Sequence, residues 1–334
     1  LLSRLYLNAG TYLNNDGSNN PYWKEAKEYA EKVINSDYKL FDDSKESAEA
    51  KANGYKPYDL LFMGDNGSNG ASCEALLPLL QDGDKTQGWG GSLFFIATNW
   101  NDKMATVTDK TAGTTGNNWS GMRLRPEFLQ KFTKDPSIFL DKSTSEIRAM
   151  GIDDRALIWG KGSDSDKRTI ELGDNSSFYQ GLTTTKWNNN YSNNGTPHDT
   201  YNVDTDFFLF RVAEAYLNAA EAEMHLNGEG SALAKQYIDA IRNRAHASIK
   251  ASYTLNDILD ERAREFYCEG IRRTDLIRFN QFGGNQATYT WAYKGGSENG
   301  NSFSKIFNIY PLPSSEVLAN KNLTQIDGYN ESNN

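Results

Sequence analysis

The segment TLNDILDERAREFYCEGIRRTDLIRF, residues 254–279, constrains this chain more than any other stretch. Thr254 with Asp257 three positions on is a capping-box signature, and Ile258, Leu259, Ala263, Phe266, Tyr267 and Ile271 recur at helical spacing, which predicts a helix over the whole segment. Its other face is charged. Glu261, Arg262, Arg264, Glu265, Glu269, Arg272, Arg273, Asp275 and Arg278 alternate in sign at separations of three and four, where ion pairs contribute roughly 0.2–0.5 kcal/mol each. A run like this is ordinarily a solvated helix face; taken with the rest of the string, the mixed charges read as a scaffold network and not as a binding patch.

That string, with IYPLPSSEVLANKNLTQIDGY at 309–329, closely resembles the C-terminal signature of the SusD/RagB family, the surface glycan-binding lipoproteins of Bacteroidetes-type bacteria. The family's ERxxELxxEGxRxxDLxRF helix is matched by Glu261, Arg262, Glu265, Glu269, Gly270, Arg272, Asp275, Leu276, Arg278 and Phe279. Its strand-like YPxPxxE and following NxNLxQxxGY are matched by Tyr310, Pro311, Pro313, Glu316, Asn320, Asn322, Leu323, Gln325, Gly328 and Tyr329. The chain departs at Cys268, where the family more often has a bulky apolar or aromatic residue, and at Ile326 and Asp327, where Asn-Pro is usual. Upstream, residues 58–97 (with the TQGWGG block), 117–132, 181–187 and 204–223 fall in the family's order. The W-G-G block is particularly like the starch-binding branch.

Composition narrows the options independently. A chain of 334 residues with 38% hydrophobic content can bury a sizeable core. A net charge of −9 argues against nucleic acid as a partner, which needs a basic footprint. No apolar run approaches the roughly 18 residues of a membrane-spanning helix. Cys73 and Cys268 allow at most one disulfide and sit in no metal or redox spacing, and whether they pair is open. The chain starts inside an amphipathic pattern (Leu1, Leu2, Leu5, Tyr6, Ala9, Leu13) without Met or N-cap, which reads as a truncated product whose signal peptide and lipid-bearing cysteine, implied by the resemblance, lie outside it.

Two helix–turn–helix units are expected, 1–13 with 22–36 and 206–225 with 231–247, with Ala26, Ala30, Ala219, Ala222, Ala234 and Ala240 where helices approach closely. They resemble the tetratricopeptide pattern of about 34 residues, and such units imply a helical scaffold that includes 254–279. The expected fold is mostly α: a tetratricopeptide-like helical repeat scaffold with a long irregular loop and strand insertion. The organisation reads as 1–39 helical repeat, 40–203 insertion, 204–282 helical repeat with the signature helix, and 283–334 extended segment, together one structural unit.

Residues 40–200 change character: Asn, Gly, Ser, Thr and Asp dominate 99–120 and 160–200, and the region is interrupted by short apolar runs and by Trp89, Trp100, Trp119, Trp159 and Trp187. Loops this long are functional or disordered, and the aromatics weigh against disorder. A sugar ring offers a C–H face to an aromatic ring and an edge of hydroxyls to planar amides and carboxylates. Asn99, Trp100, Asn101 and Asp102 in one loop, and Asn117, Asn118, Trp119 and Ser120 in the next, supply both. The resemblance implies glycan-stacking aromatics in these loops, with further contacts from an N-terminal part not present here. The glycan-binding candidates are therefore Trp100, Trp119, Asn99, Asn101 and Asn118. Trp89 and Trp187 read as core, Trp23 and Trp291 as scaffold, and Trp159 and Tyr191 as the fallback site.

Enzymatic signals are thin. His198, His225 and His246 lack ligand spacing, and neither a GxSxG elbow nor a P-loop is present. With 44 acidic residues a glycosidase pair is not excluded by inspection. Asp65 with Asn66, and Asp82 with Asp84, have oxygen-rich character that suits Ca²⁺ but no calcium-loop spacing, so turn formers are the preferred reading and no cofactor is expected. The resemblance implies a protein that binds without cleaving, lipid-anchored on the outer face of the outer membrane, and delivers oligo- or polysaccharide, α-glucan first, to a SusC-like TonB-dependent transporter. The alternatives are a helical-repeat scaffold for a peptide or protein, and a glycoside hydrolase.

Overall fold

The computed structural model describes residues 1–14, 16–163, 166–173 and 177–329. The architecture is mostly helical, as expected, and the two predicted helix pairs pack on each other around the Val212–Asn227 helix. Trp23–Ile34 lies along one side of it and Ala232–Arg244 along another. Close approach is set by small side chains: Ala26 meets Ala222, and Ala30 meets Ala215 and Ala219, all buried. The Trp23 indole, a scaffold residue, stacks on His225 with centroids 3.8 Å apart. No helix among the described residues is long and apolar enough to cross a membrane.

Three boundaries differ from the sequence reading. Residues 207–211, expected as helix, form strand β4 (Phe207–Arg211), because the Phe-Phe-Leu-Phe run pairs antiparallel with β1 (Ala75–Leu79), with Leu79 opposite Phe207. Two further short strands, β2 (Ile158–Trp159) and β3 (Thr183–Thr184), pair antiparallel. The 254–279 helix is two helices, Leu255–Phe266 and Arg272–Arg278. Its start is capped as predicted, Thr254 Oγ1 accepting from Asp257 N while Asp257 Oδ2 accepts from Thr254 N. It breaks because Cys268 (φ 57°) and Gly270 (φ 77°) both adopt left-handed backbone. The closing segment, expected as strand-like, is irregular at Tyr310 and Pro311 and then helical over Ser314–Ala319, which Pro313 precedes.

Most of the charged face of 254–279 is buried, with Glu269, Arg272 and Arg273 partly covered. Glu265 accepts from Arg211 and Arg244, and its other oxygen from Arg155 Nη1 at 3.2 Å. Arg211 also reaches Glu74 at 2.9 Å and Glu269 at 2.7 Å, and Lys186 closes on Glu269 at 2.6 Å. Arg262 pairs with Asp275 at 2.8 Å, and Arg278 with Glu221. Burial alone would raise these carboxyls, but the guanidiniums outweigh it: Arg244, Arg211 and Arg155 hold Glu265 well below its usual range, and Arg155, Arg264 and Arg242 bring Glu261 to about 2. Burial lowers the Lys186 ammonium to about 8 despite the opposing pull of Glu269. The network ties the scaffold to residues of the 40–203 region and positions the loops above it.

Candidate glycan site

The loop residues nominated from sequence divide into two groups. Trp100 is fully buried, its Nε1 donating to the carbonyl of Trp187 at 2.7 Å, in a core with Phe41, Tyr58 and Phe62. Asn99 is buried too, its Nδ2 donating to Phe95 O at 2.7 Å within the helix Ser92–Asn99. The Trp100 ring has no free face for a ligand, and Asn99 lies under the surface. The expectation for Trp100 and Asn99 is thereby corrected: the apolar helix Ser92–Asn99 carries Trp100 inward at its C-terminal end, and its Asn neighbours satisfy backbone groups. The fallback Trp159 is likewise buried, donating to Lys161 O.

Asn101, Asn118 and Trp119 are brought together at the surface. Asn118 Nδ2 donates to Asp102 Oδ1 at 2.9 Å and its Oδ1 accepts from Thr114 Oγ1 at 3.0 Å, which fastens one loop to the other. Asn101 Oδ1 accepts from Lys103 N at 3.0 Å, and its Nδ2 faces Ser120 Oγ at 3.5 Å. Trp119 is anchored through its backbone, N–H to Ala97 O at 2.7 Å, while its ring is 48% exposed.

Two rings that were not nominated complete the surface. Trp89, expected in the core, is 47% exposed and stacks on Trp119 with centroids 5.2 Å apart and planes 28° off parallel. Tyr201, 48% exposed, meets Trp89 edge-on at 5.6 Å and 80°. Trp89 sits out because Gly88 and Gly90 beside it have open space where a side chain would begin, so nothing draws that loop inward. Tyr201 is held by its backbone: Asn117 Nδ2 donates to its carbonyl at 2.6 Å, and its N–H donates to Asp199 at 2.7 Å. Three aromatic rings on three separate loops, each about half exposed, Trp119 and Tyr201 fixed by polar backbone contacts and Trp89 stacked on Trp119, form a platform that can stack on apolar sugar faces. Asn101, Asp102 and Asn118 beside Trp119 offer amide and carboxylate groups for hydroxyls. Neither ring left a signal in the sequence: Trp89 read as core inside the W-G-G block, and Tyr201 stands in a merely polar neighbourhood.

The oxygen-rich segments act as turns. Asp65 Oδ2 accepts from both N and Oγ of Ser192, Asn66 Oδ1 accepts from Asp206 N, and Asp82 accepts from the backbone of Asp84 and Lys85. Asp82, His198 and Asp204 could each offer an atom to one cation, lying within 4.8 Å of one another. Asp204, however, already accepts from Gly83 N, His198 N, His198 Nδ1 and Tyr191 Oη. The hydrogen bond to Asp204 raises the His198 pKa, and burial next to that carboxylate raises the Tyr191 phenol. Cys73 and Cys268 are free.

Residues 158–329 match the SusD family model. The chain is 37% identical over 360 aligned residues to the starch-binding protein SusD of Bacteroides thetaiotaomicron, covering 98% of this chain and 59% of that protein. It therefore spans about three-fifths of that relative's length. Among solved structures it resembles a SusD superfamily protein from Parabacteroides distasonis (TM-score 0.63, 18% identity, 98% of this chain and 61% of that one). It also resembles surface glycan-binding protein A from Bacteroides thetaiotaomicron in complex with laminarihexaose (TM-score 0.57, 21% identity, 97% and 62%). A family signature over half the chain, carried on a mostly helical fold, places this chain in the SusD family.

Proposed function

We propose that this protein captures oligo- or polysaccharide on the Trp89–Trp119–Tyr201 platform at the cell surface, lipid-anchored to the outer face of the outer membrane, and passes it to a SusC-like TonB-dependent transporter without cleaving it. The observation that carries the reading is the platform itself: three half-exposed rings beside Asn101, Asp102 and Asn118. Starch-like α-glucan is the leading ligand, supported by the 37% identity to a protein named for starch binding. A β-glucan is the second reading, because one structural neighbour is named as laminarin-binding and another was solved with laminarihexaose. No cofactor is needed for stacking. Asp199, the carboxylate next to Tyr201, accepts from that residue's N–H, which holds it below the usual carboxylate range and leaves it suited to hydrogen bonding with hydroxyls.

Calorimetric titration with maltoheptaose and with laminarihexaose tests the ligand class, and variants test the site. Trp119→Ala and Trp89→Ala should each lower affinity by about 5- to 150-fold, since burying an aromatic face is worth about 1–3 kcal/mol, with melting temperature retained. Long incubation should release no reducing ends. Unchanged affinity in both variants, or reducing sugar whose release one carboxylate substitution abolishes, overturns the proposal.

A further inference from the structure

A second cavity, of about 340 Å³, lies where residues 122–131, the helices Leu255–Phe266 and Arg272–Arg278, and the 282–291 segment meet. It shares no lining residue with the Trp89–Trp119–Tyr201 platform. Its size falls in the range of small-molecule sites, about 300–1,000 Å³. Its walls are aromatic: Phe128 packs on Tyr267 with centroids 4.9 Å apart, and Phe282 stacks on Trp291 at 5.9 Å, with Tyr289 at 6.0 Å from Trp291.

The charges around it are unbalanced. Lys131 pairs with Asp260 and Arg262 with Asp275. Arg123, Arg125, Arg272 and Arg273 form no salt bridge among the described residues and donate to backbone carbonyls, such as Gln180 O, Ala292 O, Leu259 O and Phe307 O respectively. Burial lowers the Arg123 pKa with no anion opposing it, and lowers that of Arg125 despite the pull of nearby Glu127. Among the described residues Glu127 is the only acidic side chain in the lining, so the wall carries net positive charge in a chain of net charge −9. Two wall atoms are shut off from solvent and make no hydrogen bond: Arg272 Nη2, a donor, and Glu127 Oε2, an acceptor. Leaving such atoms unpaired costs free energy that a bound partner would recover.

We propose that this cavity binds a small aromatic carboxylate that also carries a hydroxyl or N–H donor, the ring between the aromatic walls, the carboxylate on Arg272, and the donor on Glu127. The guanidinium fork matches a carboxylate in geometry and charge, and the apolar walls suit an aryl ring better than a hydroxyl-covered sugar. This site is independent of the glycan platform.

The test is titration of the purified protein with 4-hydroxyphenylacetate, with 4-hydroxyphenylacetamide, which lacks the charge, and with phenylacetate, which lacks the hydroxyl. Saturable binding is expected for the first, weakened about tenfold or more in the amide, as loss of a charge-assisted hydrogen bond implies, and less in phenylacetate. Arg272→Gln should reproduce the loss seen with the amide. Ala263→Met, which fills the cavity and keeps every charge, should abolish binding should Arg272→Gln prove unstable. Trp119→Ala should leave it unchanged, which separates this site from the platform. Absence of saturable binding by 4-hydroxyphenylacetate, equal affinity for acid and amide, or binding indifferent to Ala263→Met overturns the proposal.

Discussion

The sharpest structural consequence concerns Glu265. Its carboxylate is fully buried and receives three guanidiniums, from Arg211, Arg244 and Arg155. Glu265→Gln keeps the shape, removes the charge, and turns one acceptor into an amide donor facing a guanidinium. Removing one partner of a buried ion pair costs about 3–5 kcal/mol, mostly from stranding the remaining charge, and three stranded donors put this case near 5. Domains of 150–250 residues lose about 2–4 °C of melting temperature per kcal/mol, and at the low end of that scale, suited to 334 residues, the loss is about 10 °C. Scanning calorimetry of the variant measures it. Glu28→Gln, which removes the exposed Glu28–Lys32 pair, is the control and should leave the melting temperature unchanged. Oligosaccharide affinity at low temperature should be retained, because Glu265 lies in the scaffold and not on the platform. A fall of less than about 2 °C in Glu265→Gln would show that the network contributes no more than surface ion pairs do.

Trp100→Ala should behave unlike the platform variants: truncating this buried indole should cost about 3–5 kcal/mol of stability, seen as a lower midpoint in urea, with affinity per folded molecule preserved. Acid should act through the same buried network. The folded pKa of Glu261, about 2, and that of Glu265 both lie below the ordinary value of 4.5, so the unfolded chain binds more protons between them. The stability these groups contribute is complete above about pH 4.5 and is lost as pH falls toward 2, which urea midpoints at stepped pH will show; a midpoint independent of pH across that window would contradict it.

The local features of the fold were readable in the chain itself. Thr254 and Asp257 cap a helix because both partners lie within one turn, and the small faces of Ala26, Ala30, Ala219 and Ala222 announced close helix packing. The break at Cys268 and Gly270 was half visible: Gly270 permits left-handed backbone, but nothing local says that Cys268 must adopt it too. The first residues of the helix expected over 206–225, Phe207–Arg211, form a strand instead, because their pairing partner, β1, lies more than a hundred residues upstream.

Which aromatic faces solvent was decided by the tertiary structure alone. Trp100 and Trp119 both sit among asparagines, yet one ring plugs a core built from Phe41, Tyr58, Phe62 and Trp187, and the other stacks on Trp89 in the open. Exposure depends on whether distant segments close over a ring, and local composition carries no record of that. The charges of 254–279 follow the same logic. Their alternation in sign was plain in the sequence, but their burial required Glu74, Arg155, Arg211 and Arg244 to arrive from elsewhere, since a charge enters the interior only when its partners come with it.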